Sequence, residues 1–244
     1  MQYLLTVAYD GTHYGGWQYQ KNAVTVQEKL EDALSSVFEQ RLSVIAASRT
    51  DAGVHALGQR VCFSLEGCKI PTDKIPLVLN NTLPDDIAVT DIAIVENSFN
   101  PRFLAKEKTY HYNIWQGKYP NPLIRHSALF FPYKLDTALM QEAAKMFNGE
   151  HDFAAFCAAG SSVLTTVRKV FECRIKVCSP MITIIIRGEG FLYNMVRIIT
   201  GTLIVVGQGK ISPGSVPSII KSGNRVLAGP TMPAHGLTLF EIKY

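Results

Sequence analysis

Asp51 is the residue of this 244-residue chain whose neighbours best suit it to act as a nucleophile. It stands in Ser48-Arg49-Thr50-Asp51-Ala52-Gly53-Val54-His55-Ala56-Leu57-Gly58-Gln59, a polar stretch bounded by apolar runs. Leu42 to Ala47 reads as a buried strand. After the stretch, Val61, Phe63 and Leu65 alternate with Cys62, Ser64 and Glu66 as in a half-buried strand. Asp51 is therefore expected in a connection between two strands. In extended chain Arg49 and Asp51 point the same way, and a guanidinium beside a carboxylate keeps it ionised. An ionised, aimed carboxylate is a competent nucleophile. Thr-Asp-Ala-Gly is also good turn chemistry, with Asp bonding its own backbone and Gly taking a left-handed residue. On the residues alone both readings stand.

Three further side chains carry the same two-sided reading. Arg197 is the only charge in the otherwise apolar and small run Met195 to Val206, and an arginine buried there needs a carboxylate. Tyr110 alternates with Tyr112 and Ile114, which fits either a core position or a platform for a base. His55 can orient a phosphate or bond the backbone of its own turn. Gly15 and Gly16 allow either a close approach of a ligand backbone or a tight turn.

Other chemistries lack their signatures. There is no GxGxxG, no P-loop and no ligand-spaced histidine cluster, which is consistent with chemistry that needs no cofactor and no metal. The five cysteines at 62, 68, 157, 173 and 178 form no CxxC pair, against a disulfide framework or a thiolate zinc site. A formal net charge of +4 permits a nucleic-acid partner without demanding one. No basic start followed by an apolar run opens the chain, and Met181 to Ile186 is too short to span a bilayer. The expectation is a cytoplasmic protein with reduced thiols and no membrane contact. Two basic stretches suit RNA. Arg168, Arg174 and Lys176 alternate with Val167, Phe171, Cys173, Ile175 and Val177, and Arg102, Lys106 and Lys108 lie beside Phe99, Phe103 and Tyr110.

The elements that must position these residues repeat a plan. Tyr3 to Tyr9 alternates as a strand, and Thr25-Val26-Gln27-Glu28 is a capping box opening an amphipathic helix to about Phe38, with Leu30, Ala33, Leu34 and Val37 inward. The signature stretch, a proline-started helix near Thr72 to Asn81 and a strand at Ile87 to Val95 follow. The second half has strands at Thr109 to Trp115, Thr166 to Val177, Met181 to Arg187 and Leu237 to Ile242, and an extended stretch at Ala128 to Phe131. Its helices are expected at Asp136 to Phe147, Leu192 to Val206 and Pro213 to Lys221. This predicts an α+β fold of two ferredoxin-like halves, each a mostly antiparallel sheet flanked by helices, with a cleft between them and domains at 1–105 and 106–244.

The stretch around Asp51 resembles the signature of the tRNA pseudouridine synthase A family, approximately Gly-Arg-Thr-Asp-Ala-Gly-Val-His-Ala-x-Gly-Gln, with Ser48 in place of the first glycine. The resemblance runs from Tyr9-Asp10-Gly11-Thr12-His13-Tyr14-Gly15-Gly16-Trp17-Gln18 through Lys108-Thr109-Tyr110-His111-Tyr112, Gly149-Glu150-His151-Asp152-Phe153 and Phe191-Leu192-Tyr193-Asn194-Met195-Val196-Arg197 to Ala228 to Leu237. Phe156-Cys157 departs from it, since relatives commonly carry Arg or Lys after the Phe. The resemblance implies a uridine isomerase acting on the anticodon arm of tRNA, at positions 38–40, as a homodimer in which both subunits contribute to binding. It implies Asp51 as nucleophile, Arg197 as its partner and Tyr110 stacking on the target uracil. Arg49 is implied in extruding the nucleotide, as enzymes acting on a stacked base require. A non-catalytic RNA-binding or tRNA-folding module and a carboxylate-dependent nucleoside hydrolase are the competing classes.

Overall fold

The computed structural model describes residues 1–160 and 163–244, which divide into two units. The first comprises Met1–Lys106 with Thr238–Tyr244, and the second Glu107–Leu237.

In the first unit the alternating run at the start forms β1 (Gln2–Tyr9). Helix α1 (Val26–Phe38) follows the predicted capping box, with Thr25 Oγ1 accepting from Glu28 N at 3.3 Å and Glu28 Oε2 accepting from Thr25 N at 3.4 Å. Leu30, Ala33 and Leu34 are buried as expected, whereas Val37, one residue from the end, is half-buried. The predicted strand at 42–47 shrinks to β2 (Ile45–Ala46) on the edge of β3 (His55–Ser64), with Leu42, Val44 and Ala47 buried and Ile45 half exposed. Strand β3 is not half-buried as its alternation suggests. Cys62 is as buried as Val61 and Phe63, because β3 lies inside the sheet and both faces are covered. The proline-started helix resolves into a 3-10 turn, Thr72–Lys74, running into the short α2 (Ile75–Asn80), and β4 (Ile87–Val95) closes the unit.

The order β4-β1-β3 with β2 beyond, every pair antiparallel, and α1 and α2 as the two crossovers make this half a ferredoxin-like unit. Tyr3 stacks on Phe63, and Phe38 of α1 stacks on the same ring, so the helix covers the face that Tyr3, Leu5 and Val7 present. The carboxyl-terminal strand, β10 in chain order (Leu237–Lys243), joins β3 in parallel at Thr238↔His55 and Leu239↔Ala56.

The second unit contains β5 (Glu107–Trp115), β6 (Leu129–Phe130), α3 (Thr137–Lys145), β7 (Gly149–Asp152), β8 (Val167–Cys178), β9 (Met181–Gly188), α4 (Met195–Gly207) and α5 (Val216–Ser222). Its sheet runs β5-β9-β8-β7, antiparallel throughout, so β5, α3, β8 and β9 repeat the β1, α1, β2, β3 arrangement of the first unit. Helix α4 is apolar on nearly all sides and buried along almost its whole length. The alternation predicted for β8 fails at Phe171. A bulge between Val170 and Glu172 shifts the register there, so Val170 is buried, Cys173 is buried, and Phe171 lies with the charges. The Arg187 guanidinium sits 5.3 Å from the Phe171 ring centre and the Lys169 ammonium 5.8 Å.

The first-turn amides of α1 draw on more than the box. Val26 N donates to Gly16 O at 3.2 Å and Gln27 N to Trp17 O at 3.0 Å, leaving Thr25 to satisfy Glu28 N. Thr25 is fully buried, so Thr25→Ala strips one amide of its partner with no water to replace it. Urea titration should show a loss of about 1–2 kcal/mol with an unchanged slope. An unaltered midpoint would mean that the box does not hold this helix.

Candidate active site

The connection between β2 and β3 is fixed at every step by backbone and buried polar groups. Gln59, fully buried on β3, accepts from Ser48 N at 3.3 Å and donates to Ser48 O at 2.7 Å. Ala47 N donates to Arg60 O at 2.8 Å. Thr50 is bound twice, its hydroxyl 2.8 Å from the Tyr9 hydroxyl and its carbonyl accepting from Trp17 N at 3.0 Å. Asp51 O then accepts from Val54 N at 3.1 Å, closing a tight turn with Gly53 at φ +76. Asp51 is half-buried at the head of that turn, and Arg49 is exposed. The turn reading and the site reading of this stretch are thus compatible, because backbone groups make the turn and the Asp51 side chain is not needed for that bond.

Residues 10–17 pack directly onto this loop. A Cβ on Gly11 would lie 2.1 Å from Val54 O, and one on Gly16, which has φ +97, would lie 2.6 Å from Thr50 O and 3.1 Å from Ala52 N. Those glycines serve a close approach of chain to chain. His55, buried at the start of β3, ties the two loops together: its Nδ1 is 3.0 Å from Asp10 Oδ1 and 3.0 Å from Gly11 N. One nitrogen cannot donate to the carboxylate and accept from the amide at once. Asp10 Oδ1 also caps the following turn through Thr12 N at 3.0 Å.

In the second unit Tyr110 sits on β5 with its ring edge-on to Phe191, centres 5.3 Å apart, and is buried. Tyr112, two residues along the same face, is fully buried and its hydroxyl donates to Pro233 O at 2.9 Å. Burial pushes the Tyr112 phenol well above its ordinary range, and the nearby positive charge of Arg197 opposes that rise. Arg197 lies in the first turn of α4 and is half-buried. Its Nε donates to Met232 O and its Nη1 to Asn194 Oδ1, each at 2.6 Å.

A sequence profile of the family described as tRNA pseudouridine synthase matches residues 5–103 and 143–244. This chain belongs to that family. The tRNA pseudouridine synthase A of Caldicellulosiruptor saccharolyticus is 45% identical over 241 residues, covering 99% of this chain and 98% of that protein. The protein of the same name from a Thermoanaerobacter species is 48% identical over 241 residues, covering 99% and 98%. That of Bacillus pumilus is 43% identical over 246 residues, covering 100% and 99%.

Within this pseudouridine synthase the matched segments include Arg49, Asp51, His55 and Arg197, while Tyr110 falls between them. Arg49 and Asp51 share one loop of the first unit with His55 just beyond it at the start of β3, and Tyr110 and Arg197 lie in the second. Sequence reasoning passed over the residues that hold these in place: Tyr9, Asp10 and Trp17 for the Asp51 loop, Gln59 at its base, and Asn194 and Met232 for Arg197. Tyr9 to Trp17 stood in a motif already quoted, which was the available signal. Phe99, expected in a basic and aromatic cluster, packs edge-on to Tyr244 at 4.9 Å, whereas Arg102, Phe103 and Lys106 are exposed. The cysteines are free thiols, with Cys62 pushed up to about 11 by burial. Among the described residues no helix is long and apolar enough to cross a membrane.

Proposed function

We propose that this chain isomerises uridine to pseudouridine in the anticodon stem-loop of tRNA, at positions 38–40, with Asp51 as the nucleophile. The observation that carries the reading is the half-buried Asp51 at the head of a turn clamped by Gln59, Tyr9, Trp17 and Val54, in a chain similar over its whole length to tRNA pseudouridine synthases A. In the reaction the N1–C1′ glycosidic bond breaks, the uracil turns and C5 bonds to the same C1′. The C5 hydrogen leaves to solvent and N1 takes up a proton, so the nucleotide keeps its composition and no redox partner is required. Arg197 pairs with the carboxylate and keeps it charged, Tyr110 stacks on the target uracil, Arg49 helps extrude the nucleotide, and His55 orients a phosphate of the substrate. The enzyme works as a cytoplasmic homodimer without a cofactor.

The test is tritium release from tRNA transcripts labelled at uridine C5, with the product mapped by carbodiimide-dependent primer-extension stops. Release with stops in the anticodon arm is expected. Tight tRNA binding with no release would make the protein a binding module, and free uracil in the supernatant would make it a hydrolase.

Exposed Arg102, Phe103 and Lys106 offer tRNA two charges beside an aromatic ring that is 79% exposed. Arg102→Glu with Lys106→Glu should weaken tRNA binding about tenfold or more and flatten the slope of log affinity against log salt by roughly one or two. An unchanged slope in filter binding across a salt series would remove this segment from the interface.

A further inference from the structure

Helix α4 starts at Met195 rather than at the expected Leu192, and the residue before it has an unusual conformation. Asn194 has φ +60 and ψ +7, a left-handed backbone in which only one other non-glycine among the described residues, Glu39, is found. A residue at a helix entrance ordinarily has extended backbone and turns its side chain onto an amide of the first turn. Asn194 does neither: its side chain makes no cap bond, and its Oδ1 accepts from Arg197 Nη1 at 2.6 Å. Its carbonyl still starts the helix, accepting from Ile198 N at 3.0 Å. The left-handed turn thus gives up a cap and directs the amide oxygen onto a guanidinium one turn ahead.

Arg197 is gripped at two nitrogens by groups from different segments. Met232 O takes Nε at 2.6 Å, and Met232 N in return donates to Arg197 O at 3.3 Å, so the 232 segment is itself anchored to the helix it grips. Both acceptors are neutral. They fix the plane of the guanidinium without neutralising it, and the outer Nη edge is the one a carboxylate meets end-on. A long flexible side chain held this way loses its rotamer freedom before substrate arrives rather than in the transition state.

We propose that Asn194 is a positioning residue, whose left-handed backbone and amide oxygen hold the Arg197 guanidinium in the orientation in which it pairs with Asp51. This rests on the reading above that Arg197 serves that carboxylate. Asn is among the few residues that enter the left-handed region at low cost and also carry a neutral acceptor; Gly shares the first property and Asp has a charged acceptor.

That division provides the test. Asn194→Gly removes the amide while suiting the backbone, so Tm should be unchanged or raised. Its kcat should fall about 10- to 100-fold with KM for tRNA within about twofold. Asn194→Asp keeps an acceptor but sets a fixed carboxylate against Arg197, and its kcat should fall at least as far. Arg197→Lys is measured alongside, with the double variant Asn194→Gly/Arg197→Lys. The double variant should be no slower than Arg197→Lys alone, because a group that acts through another has nothing to add once that other is gone. Wild-type kcat in Arg197→Lys would overturn the reading of Arg197 and this inference with it. A crippled Arg197→Lys beside a fully active Asn194→Gly would overturn the inference alone. So would a kcat in Asn194→Gly that falls only in step with Tm.

Discussion

Asp51→Asn should release no measurable tritium from C5-labelled tRNA while binding that tRNA as the wild type does. The turn that presents residue 51 is made by Val54 N on Asp51 O, and its neighbour Thr50 is held by Trp17 N and the Tyr9 hydroxyl. None of those bonds uses the Asp51 carboxylate, so the substitution keeps them and changes the chemistry of one side chain. An amide of nearly the same shape lacks the charge and the nucleophilicity that formation of a covalent intermediate or stabilisation of a departing base requires. Removing a nucleophile commonly costs kcat at least about 10⁴-fold, equivalent to roughly 5 kcal/mol of barrier. Single-turnover release with enzyme in excess is the measurement, since it separates chemistry from product release. Filter binding should match wild type. Release within about tenfold of wild type would take Asp51 out of the reacting role, leaving the loop as a structural turn. Equal loss in Asp51→Ala, with binding intact, would exclude an effect peculiar to the amide.

What could be read from the sequence depended on the range of the interaction. The capping box Thr25 to Glu28 and the alternation of β1 are local, spanning a turn or a strand, and both appear where the pattern put them. The burial of Cys62 was invisible because alternation reports one face of a strand, and whether the other face is covered depends on neighbours distant in sequence. The bulge at Phe171 was likewise hidden. One extra residue in β8 inverts the faces on its two sides, and no residue type there announces it. Asp51, Arg197 and Tyr110, the residues proposed for the site, stood out through their motifs, and the family match covers the first two. Their supports were not. The Tyr9 to Thr50 bond joins residues 41 apart and the Arg197 to Met232 bond residues 35 apart. Asn194 was quoted within a motif, yet only its backbone angle reveals why its side chain leaves the helix end and meets Arg197.

Gly16→Ala should damage turnover as well as stability. The added methyl carbon would start 2.6 Å from Thr50 O and 3.1 Å from both Asp51 C and Ala52 N, all of them backbone atoms that cannot swing aside as a flexible side chain can. At φ +97 an alanine is strained as well, so the chain is pressed to leave that conformation. Either the 10–17 loop lifts from the 48–54 loop or the Asp51 turn moves outward with the Thr50 carbonyl. Lifting costs the Trp17 N to Thr50 O bond and disturbs Gly16 O and Trp17 O, which cap the first amides of α1. Both routes displace the carboxylate by a sizeable fraction of an ångström. A misplacement on that scale is enough for about a 100-fold loss in turnover even where substrate still binds. The expected result is therefore kcat down about 100-fold together with a stability loss of about 1–3 kcal/mol in urea. Gly15→Ala is the control. A Cβ there would press on the Ala23 side chain at 2.6 Å, away from the Asp51 loop, so it should cost stability with much less effect on kcat. Equal kcat losses in the two variants would mean that the fold as a whole had suffered. A Gly16→Ala enzyme with full turnover would show that the Asp51 loop keeps its geometry without the clamp.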